Sequence, residues 1–263
     1  METNRALWDE LTAVHAASAF YDLDGFKAGR STIRPLERAE VGDVSGKRLL
    51  HLQCHFGMDT LSWARLGAQV VGVDFSAKAI TLARSLSAEL GIPAEFVCSD
   101  VYELSDNLEG QFDVVFTSHG VLLWLPDLKR WAQVIDHFLA PGGLFYIAES
   151  HPVLNAVSER EGELVLDAGH FRACACTYVS DGSYADREAV LVNKTSHEWQ
   201  HPLAEVVTAL ADVGLRIEFL HEYPFSVSKR LPSMQQGDDC YWRLPDSDAL
   251  PLLFTIRAHK PAP

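Results

Sequence analysis

The stretch Arg48-Leu49-Leu50-His51-Leu52-Gln53-Cys54-His55-Phe56-Gly57 decides the fold. A short apolar run breaks there into a polar loop closed by glycine, and Asp59 or Thr60 opens a helix behind it. Further apolar runs follow at Gln69 to Val73, Ala94 to Cys98, Phe112 to Thr117 and Leu144 to Ala148, separated by helical patterns. The runs are continuous rather than alternating, as strands covered on both faces require. Their alternation with helices predicts βαβ units and a mostly parallel sheet.

The helices carry their own punctuation. Ser76 caps a helix holding Ile80, Ala83 and Leu90, with Gly91 past its end and Pro93 preventing continuation. Asp127 caps a second, in which Leu128, Trp131, Ile135 and Phe138 recur at helical spacing before Pro141-Gly142-Gly143. Pro202 sits at the first turn of a third, with Leu203, Val206, Val207 and Leu210 apolar and Gly214 as the stop. Leu215 to Leu220 and Leu252 to Ile256 complete a set of seven strands.

Two regions break the rhythm. Before Lys47 the chain shows a helical pattern around Leu7, Leu11 and Val14, then Phe20-Tyr21 and a polar loop. Between the fifth strand and Pro202 lie roughly fifty residues, against the usual connection of about 4 to 6. Within them Phe171 to Val179, the turn Asp181-Gly182-Ser183 and Ala189 to Asn193 predict an antiparallel hairpin. The expected organisation is an N-terminal cap over 1–46, a ligand-binding core over 47–150, an inserted lid over 151–200 and completion of the sheet over 201–263.

The first loop and its successors resemble the class I S-adenosylmethionine-dependent methyltransferases, small-molecule enzymes of the type 11/12 kind. The family's first motif runs apolar, apolar, Asp, apolar, Gly, x, Gly, x, Gly; here His51 stands at the Asp, Gln53 and His55 at the first two glycines, and Gly57 is kept. Val71-Gly72-Val73-Asp74-Phe75-Ser76 then places an acid at a strand end seventeen residues beyond Gly57. An acid there can accept both ribose hydroxyls of an adenosine. Ser99-Asp100-Val101, Phe112-Asp113-Val114-Val115 and Leu139-Ala140-Pro141-Gly142-Gly143-Leu144 fall in register with the family's later motifs. The resemblance covers Lys47 to Ala148 and implies a Rossmann-like seven-stranded α/β sheet with its last strand antiparallel, an N-terminal helical cap and an inserted β-hairpin lid. It implies S-adenosylmethionine as cofactor, S-adenosylhomocysteine as product, and cofactor contacts from Gln53, His55, Gly57, Asp74, Phe75, Asp100, Val101 and Ser118, with Tyr21 over the amino-acid end.

Glycine lets backbone amides approach a ligand, so Gln53 and His55 predict a remodelled loop whose side chains hydrogen-bond the methionine portion. Four histidines, His51, His55, His119 and His151, fall at or just past carboxyl ends of strands, the ligand-binding edge of open α/β sheets. A histidine there can take a proton near neutral pH. His119, directly after the fourth strand, is the first choice as base, and His151, beside Glu149 and Ser150, the second. No paired spacing of Cys54, His55, His119 and His151 supports a metal, and Cys174-x-Cys176 reads as packing on one strand face.

Composition sets the outer bounds. In 263 residues, 48% hydrophobic and 22% charged residues describe a globular chain. Twenty-two Lys and Arg against thirty-six Asp and Glu give a formal charge of −14, which argues against a nucleic-acid partner. Glu2, Asp9 and Glu10 replace the basic start of a signal peptide, no apolar run reaches the roughly 20 residues of a membrane span, and five scattered cysteines suit a reducing compartment. A cytoplasmic enzyme with a small-molecule substrate is expected, with a homodimer through the insert as the alternative use of that segment. Two rival functions remain: a protein that holds the sulfonium nucleoside or its product without transfer, and a nicotinamide-dependent oxidoreductase, the latter disfavoured because no Gly-x-Gly-x-x-Gly follows the first strand.

Overall fold

The computed structural model describes residues 2–166, 169–171, 175–245 and 248–262. Its sheet has seven strands: β1 (Arg48–Leu52), β2 (Gln69–Asp74), β3 (Glu95–Cys98), β4 (Phe112–Ser118), β5 (Leu139–Ser150), β6 (Arg216–Tyr223) and β7 (Leu253–His259). They lie in the order β6-β7-β5-β4-β1-β2-β3. The pairs from β5 to β3 are parallel, and β7 runs antiparallel to both β5 and β6. Direction of progression reverses between β4 and β1, the switch point at which such sheets open a crevice beyond their carboxyl ends.

Alternation of side chains along the strands builds both faces. Leu50, Leu52, Val71, Val115, Phe145 and Ile147 meet Trp131 and Ile135 of α6 (Leu128–Phe138) and Val206 and Leu210 of α7 (Leu203–Asp212). Leu49, Val70, Val114, Phe116 and Tyr146 meet Trp63 of α4 (Met58–Arg65) on the other. Each such fully buried side chain contributes roughly 1.5 to 3 kcal/mol, which fixes the register of the strand ends that carry the site. The helix between β2 and β3, α5 (Ala77–Leu90), is capped by Ser76, whose side chain accepts from the Ala79 N–H, and stops at left-handed Gly91. Asp127 caps α6 through the Arg130 N–H. β5 starts earlier than its apolar run, because Gly142 and Gly143 pair with Lys260 and carry the strand back to Leu139.

The N-terminal segment is more ordered than a polar loop. After α1 (Glu2–Ala17) come α2 (Leu23–Lys27) and α3 (Pro35–Val41). Helix α1 packs between α5 and the insert, where Asn4 exchanges two hydrogen bonds with the His197 backbone and Glu10 accepts from the Val192 and Asn193 N–H groups.

The insert departs from the expected hairpin. Val157–Arg160 pairs with Glu163–Leu166, and Cys176–Val179 pairs with Thr195–Glu198. Ala189 to Asn193 is not a strand, and its apolar alternation is spent on exposed Val190 and Val192 with Leu191 buried against Leu7 and Leu11. Residues 172–174, and with them Cys174 of the expected Cys-x-Cys pair, lie outside the described residues. Among the described residues no helix is long and apolar enough to cross a membrane.

Candidate active site

The loop after β1 keeps the shape of a glycine loop without the glycines. Gln53, His55 and Gly57 all take left-handed backbone, with φ of 57°, 51° and 77°. Such a conformation costs a non-glycine residue roughly 1 to 2 kcal/mol, so other contacts must hold it. The Cys54 N–H donates to the Val73 carbonyl at 2.8 Å, the His55 N–H to Asp74 Oδ2 at 2.8 Å, and Gln53 Nε2 to the Val121 carbonyl at 3.0 Å. Gln53 and His55 thus adopt backbone that glycine takes more readily. Gly57 alone is sterically required: a Cβ there would lie 2.5 Å from the Phe96 ring. The side chains of Gln53 and His55 instead leave the loop toward residue 121 and toward α1.

Asp74, at the end of β2, is buried beneath this loop. Its two oxygens accept from the His55 N–H and, at 2.9 Å, from the Ser76 N–H. A carboxylate offers about four lone-pair sites, so two remain. Burial pushes its pKa up to about 6, with the backbone donors pulling the other way. Asp100 lies at the end of the neighbouring β3, where Oδ1 accepts from the Tyr102 N–H at 3.0 Å to cap a short 3-10 helix. Val101 buries its side chain in the core, and Phe75 is half-buried at the entrance to α5.

A roof of rings covers the loop. Tyr21 stacks on His15 with centroids 5.1 Å apart and packs against His55 and Phe56. His15 is fully buried: Nδ1 lies 2.9 Å from His55 Nε2, and Nε2 lies 2.7 Å from Ser183 Oγ of the insert. Burial pushes the pKa of His15 down to about 4 and that of His55 well below its ordinary value. The hydroxyls of Tyr21 and Tyr184 hydrogen-bond each other. Trp8 stands edge-on to both His55 and Trp124. His15, Ser183 and Tyr184 were not among the cofactor-site candidates, because only the fold joins residues so distant in the chain.

The edge beyond β4 is the second half of the site. Ser118 donates to Asp59 Oδ2 at 3.1 Å. His119 takes left-handed backbone, φ 28°, and its Nε2 lies 2.5 Å from Oε1 of buried Glu37 on α3. Burial alone would lower the pKa of this imidazole, but the Glu37 carboxylate reverses the effect and raises it. Glu149 pins the following turn, accepting from the N–H groups of Gly120 at 2.6 Å, Val121 at 2.7 Å and Leu122 at 3.3 Å. Beside this turn a cleft at the end of β5 is lined by Leu122, Glu149, Trp199, His201, Arg230 and Phe254.

The other two histidines are engaged differently, His51 at one ring nitrogen and His151 at both. His51 is buried, with Nδ1 2.8 Å from Thr60 Oγ1 and its pKa pushed down to about 4 by burial. His151 has both ring nitrogens engaged: Nδ1 accepts from the Val153 N–H at 3.2 Å and Nε2 lies 2.8 Å from Glu222 Oε1. That tautomer leaves no lone pair for a substrate proton, so the expected second base reads as the cap of the turn after β5. Among the described residues no three His, Cys, Asp or Glu side chains converge as a metal site.

Comparison with known proteins bears on the same region. Residues 50–147 match a family model described as a methyltransferase domain. A ubiquinone biosynthesis O-methyltransferase of Erwinia tasmaniensis is 32% identical over 131 residues, which cover 48% of this chain and 54% of that one. The chain thus spans about half the length of the curated relatives it matches. Among solved structures, an S-adenosylmethionine-dependent methyltransferase of Clostridium acetobutylicum superposes with a TM-score of 0.59 at 14% identity, covering 98% of this chain and 97% of the other. One from Mesorhizobium loti gives 0.58 at 21%, covering 85% and 95%.

Proposed function

From residues 50–147, which match a methyltransferase domain, we propose that the chain is a class I S-adenosylmethionine-dependent methyltransferase that transfers a methyl group to a small-molecule acceptor. The observation that carries the reading is the left-handed backbone at Gln53, His55 and Gly57, hydrogen-bonded to the acid at the end of β2. The residues fit the cofactor chemically. Asp74 keeps lone pairs for ribose hydroxyls, Asp100 and the Val101 backbone suit an adenine edge, and Gln53 Oε1 is a buried acceptor without a partner among the described residues, matched to an ammonium group. Gly57 admits close approach of the loop, and Phe75, Ser118 and Tyr21 bound the space. Bound there, S-adenosylmethionine supplies an electrophilic methyl group on a sulfonium sulfur.

The protein's own contribution is alignment, exclusion of water and removal of a proton. The cleft beside Glu149 is the proposed acceptor side, and Glu149 also pins the turn that follows His119. Asp74 retains only 8% of its surface under the roof, so entry of the cofactor requires the contacts of His15, Tyr21, Ser183 and Tyr184 to open. Screening small hydroxyl- and amine-bearing metabolites with methyl-labelled S-adenosylmethionine is expected to give label in product together with S-adenosylhomocysteine. A protein that binds both sulfur compounds and labels nothing would instead be a holder of the nucleoside.

Through Ser183 and Tyr184 the insert also contacts the roof over the loop after β1. Replacing residues 153–199 by a short Gly/Ser linker is expected to abolish transfer and also to weaken S-adenosylhomocysteine binding by roughly tenfold, the loss of one or two hydrogen-bonded contacts over the loop. Unchanged affinity would confine the insert to the acceptor. Leu166, Phe171, Val179, Val190 and Val192 of the same segment are 73–88% exposed, and if they pair two chains the shortened protein changes from dimer to monomer in light scattering while still methylating normally.

A further inference from the structure

We infer that Glu37 is the positioning residue that presents His119 as proton acceptor to a hydroxyl-bearing substrate, an inference that rests on the methyltransferase reading above. The geometry begins with the start of α3. Pro35 fixes its first turn, and the Arg34 N–H donates to Glu37 Oε2 at 2.8 Å. One carboxylate oxygen is thereby spent on the helix end, and the other, Oε1, is aimed at His119 Nε2. Glu37 keeps 2% of its surface, so no water competes for the contact.

His119 is held as tightly from its own side. Its N–H donates to the Ala148 carbonyl at 2.8 Å, and the next three amides are the ones Glu149 collects. This anchoring sustains a left-handed histidine at the carboxyl end of a strand, where backbone strain marks functional positions. A carboxylate can only accept, so Nε2 must carry the hydrogen toward Glu37, and the neutral ring has its lone pair on Nδ1. Nδ1 is buried and has no hydrogen-bond partner among the described residues. His51 Nε2 and His55 Nδ1 are likewise buried without a partner among the described residues, but of the three only His119 has its opposite nitrogen held by a carboxylate. A substrate hydroxyl supplies the missing donor.

The step balances on these atoms. The acceptor O–H proton passes to Nδ1, the oxygen forms its bond to the methyl carbon, and the carbon–sulfur bond breaks with its electron pair left on sulfur. The resulting imidazolium is neutralised by Glu37, and the proton leaves to solvent when product departs. The charged and titratable groups that face the pair are Arg34 from the start of α3, Glu149 and Tyr146 from β5, and Tyr241. Arg34 opposes protonation of His119 and Glu149 favours it, so Glu37 is the contact whose removal changes the balance most.

The test is a titration of the full chain labelled with ¹⁵N in its histidine rings, followed by NMR, with His119→Asn used for assignment. Wild-type His119 is expected to titrate above the ordinary value of about 6.5 and, when neutral, to be the Nε2–H tautomer. Glu37→Gln is expected to lower the midpoint by roughly 1 to 3 pH units, with the alkaline-rising limb of kcat/KM moving in parallel. An Nδ1–H tautomer in the wild type would overturn the inference, as would an unmoved midpoint in folded Glu37→Gln. S-Adenosylhomocysteine titrated into the same wild-type sample separates the two levels. The expected tautomer without binding would remove the methyltransferase reading, and binding with the wrong tautomer would remove only the role of Glu37.

Discussion

Replacing His119 with alanine is expected to lower methyl transfer by roughly 10²- to 10⁴-fold, the range of a lost general base, with S-adenosylhomocysteine affinity changed by less than about threefold. The expectation follows from a ring whose Nε2 is held by Glu37 and whose Nδ1 is left without a partner among the described residues. Alanine also strands the buried Glu37 carboxylate, so thermal stability must be read beside the rate, and His119→Asn keeps a donor for Glu37 while removing the base. His151→Ala is the comparison: Nδ1 caps the turn after β5 and Nε2 pairs with Glu222 on β6, so its folded fraction should turn over normally. Wild-type rates in folded His119→Ala and His119→Asn would leave catalysis to alignment alone.

The second large effect belongs to Asp74. Removing its carboxylate is expected to weaken cofactor binding by roughly 1.5 to 3 kcal/mol, or about 10- to 150-fold. The same two oxygens accept from the His55 and Ser76 N–H groups and help hold a strained loop. Asp74→Ala should therefore lose stability as well as affinity, whereas Asp74→Asn keeps one acceptor oxygen and isolates the ligand effect. Burial raises this carboxyl group to about pH 6, so wild-type affinity should fall as pH drops below about 6, and affinity in the Asn variant should not. The stability sign is the reverse: a raised acid contributes most below its unfolded value of about 3.9, and that contribution is lost as pH rises through about 6. Equal affinity in folded Asp74→Asn would show that the acid serves the loop and not the ribose.

How much of this was legible in the sequence depends on the range of the signal. Continuous apolar runs bounded by Gly57, Ser76, Asp127 and Gly214 are local, and the seven sheet strands fall where those runs predict. Asp74 and Asp100 follow from the ends of neighbouring strands, as Asp74 pairs with Cys98 in register and Asp100 stands two residues beyond it. The conformation of Gln53 and His55 was not legible, since nothing in a glutamine or histidine announces left-handed backbone and the contacts that enforce it come from Val121 and Asp74. Glu37 was missed because it stands in a segment that reads as polar loop, and His119 reaches it only when α3 packs on the sheet. The insert misled for a related reason. Val190 and Val192 alternate as a strand would but are exposed, while the pairing is made by Cys176–Val179 and Thr195–Glu198.

The central claim is that the loop after β1, despite its missing glycines, binds a sulfonium nucleoside. Isothermal titration calorimetry of the full chain with S-adenosylmethionine, S-adenosylhomocysteine and NAD tests it most directly. Both sulfur compounds are expected to bind at one site per chain, and each should stabilise the fold by about 2.7 kcal/mol at a hundredfold excess over its Kd, with no heat from NAD. Binding of NAD together with silence toward both sulfur compounds would contradict the account.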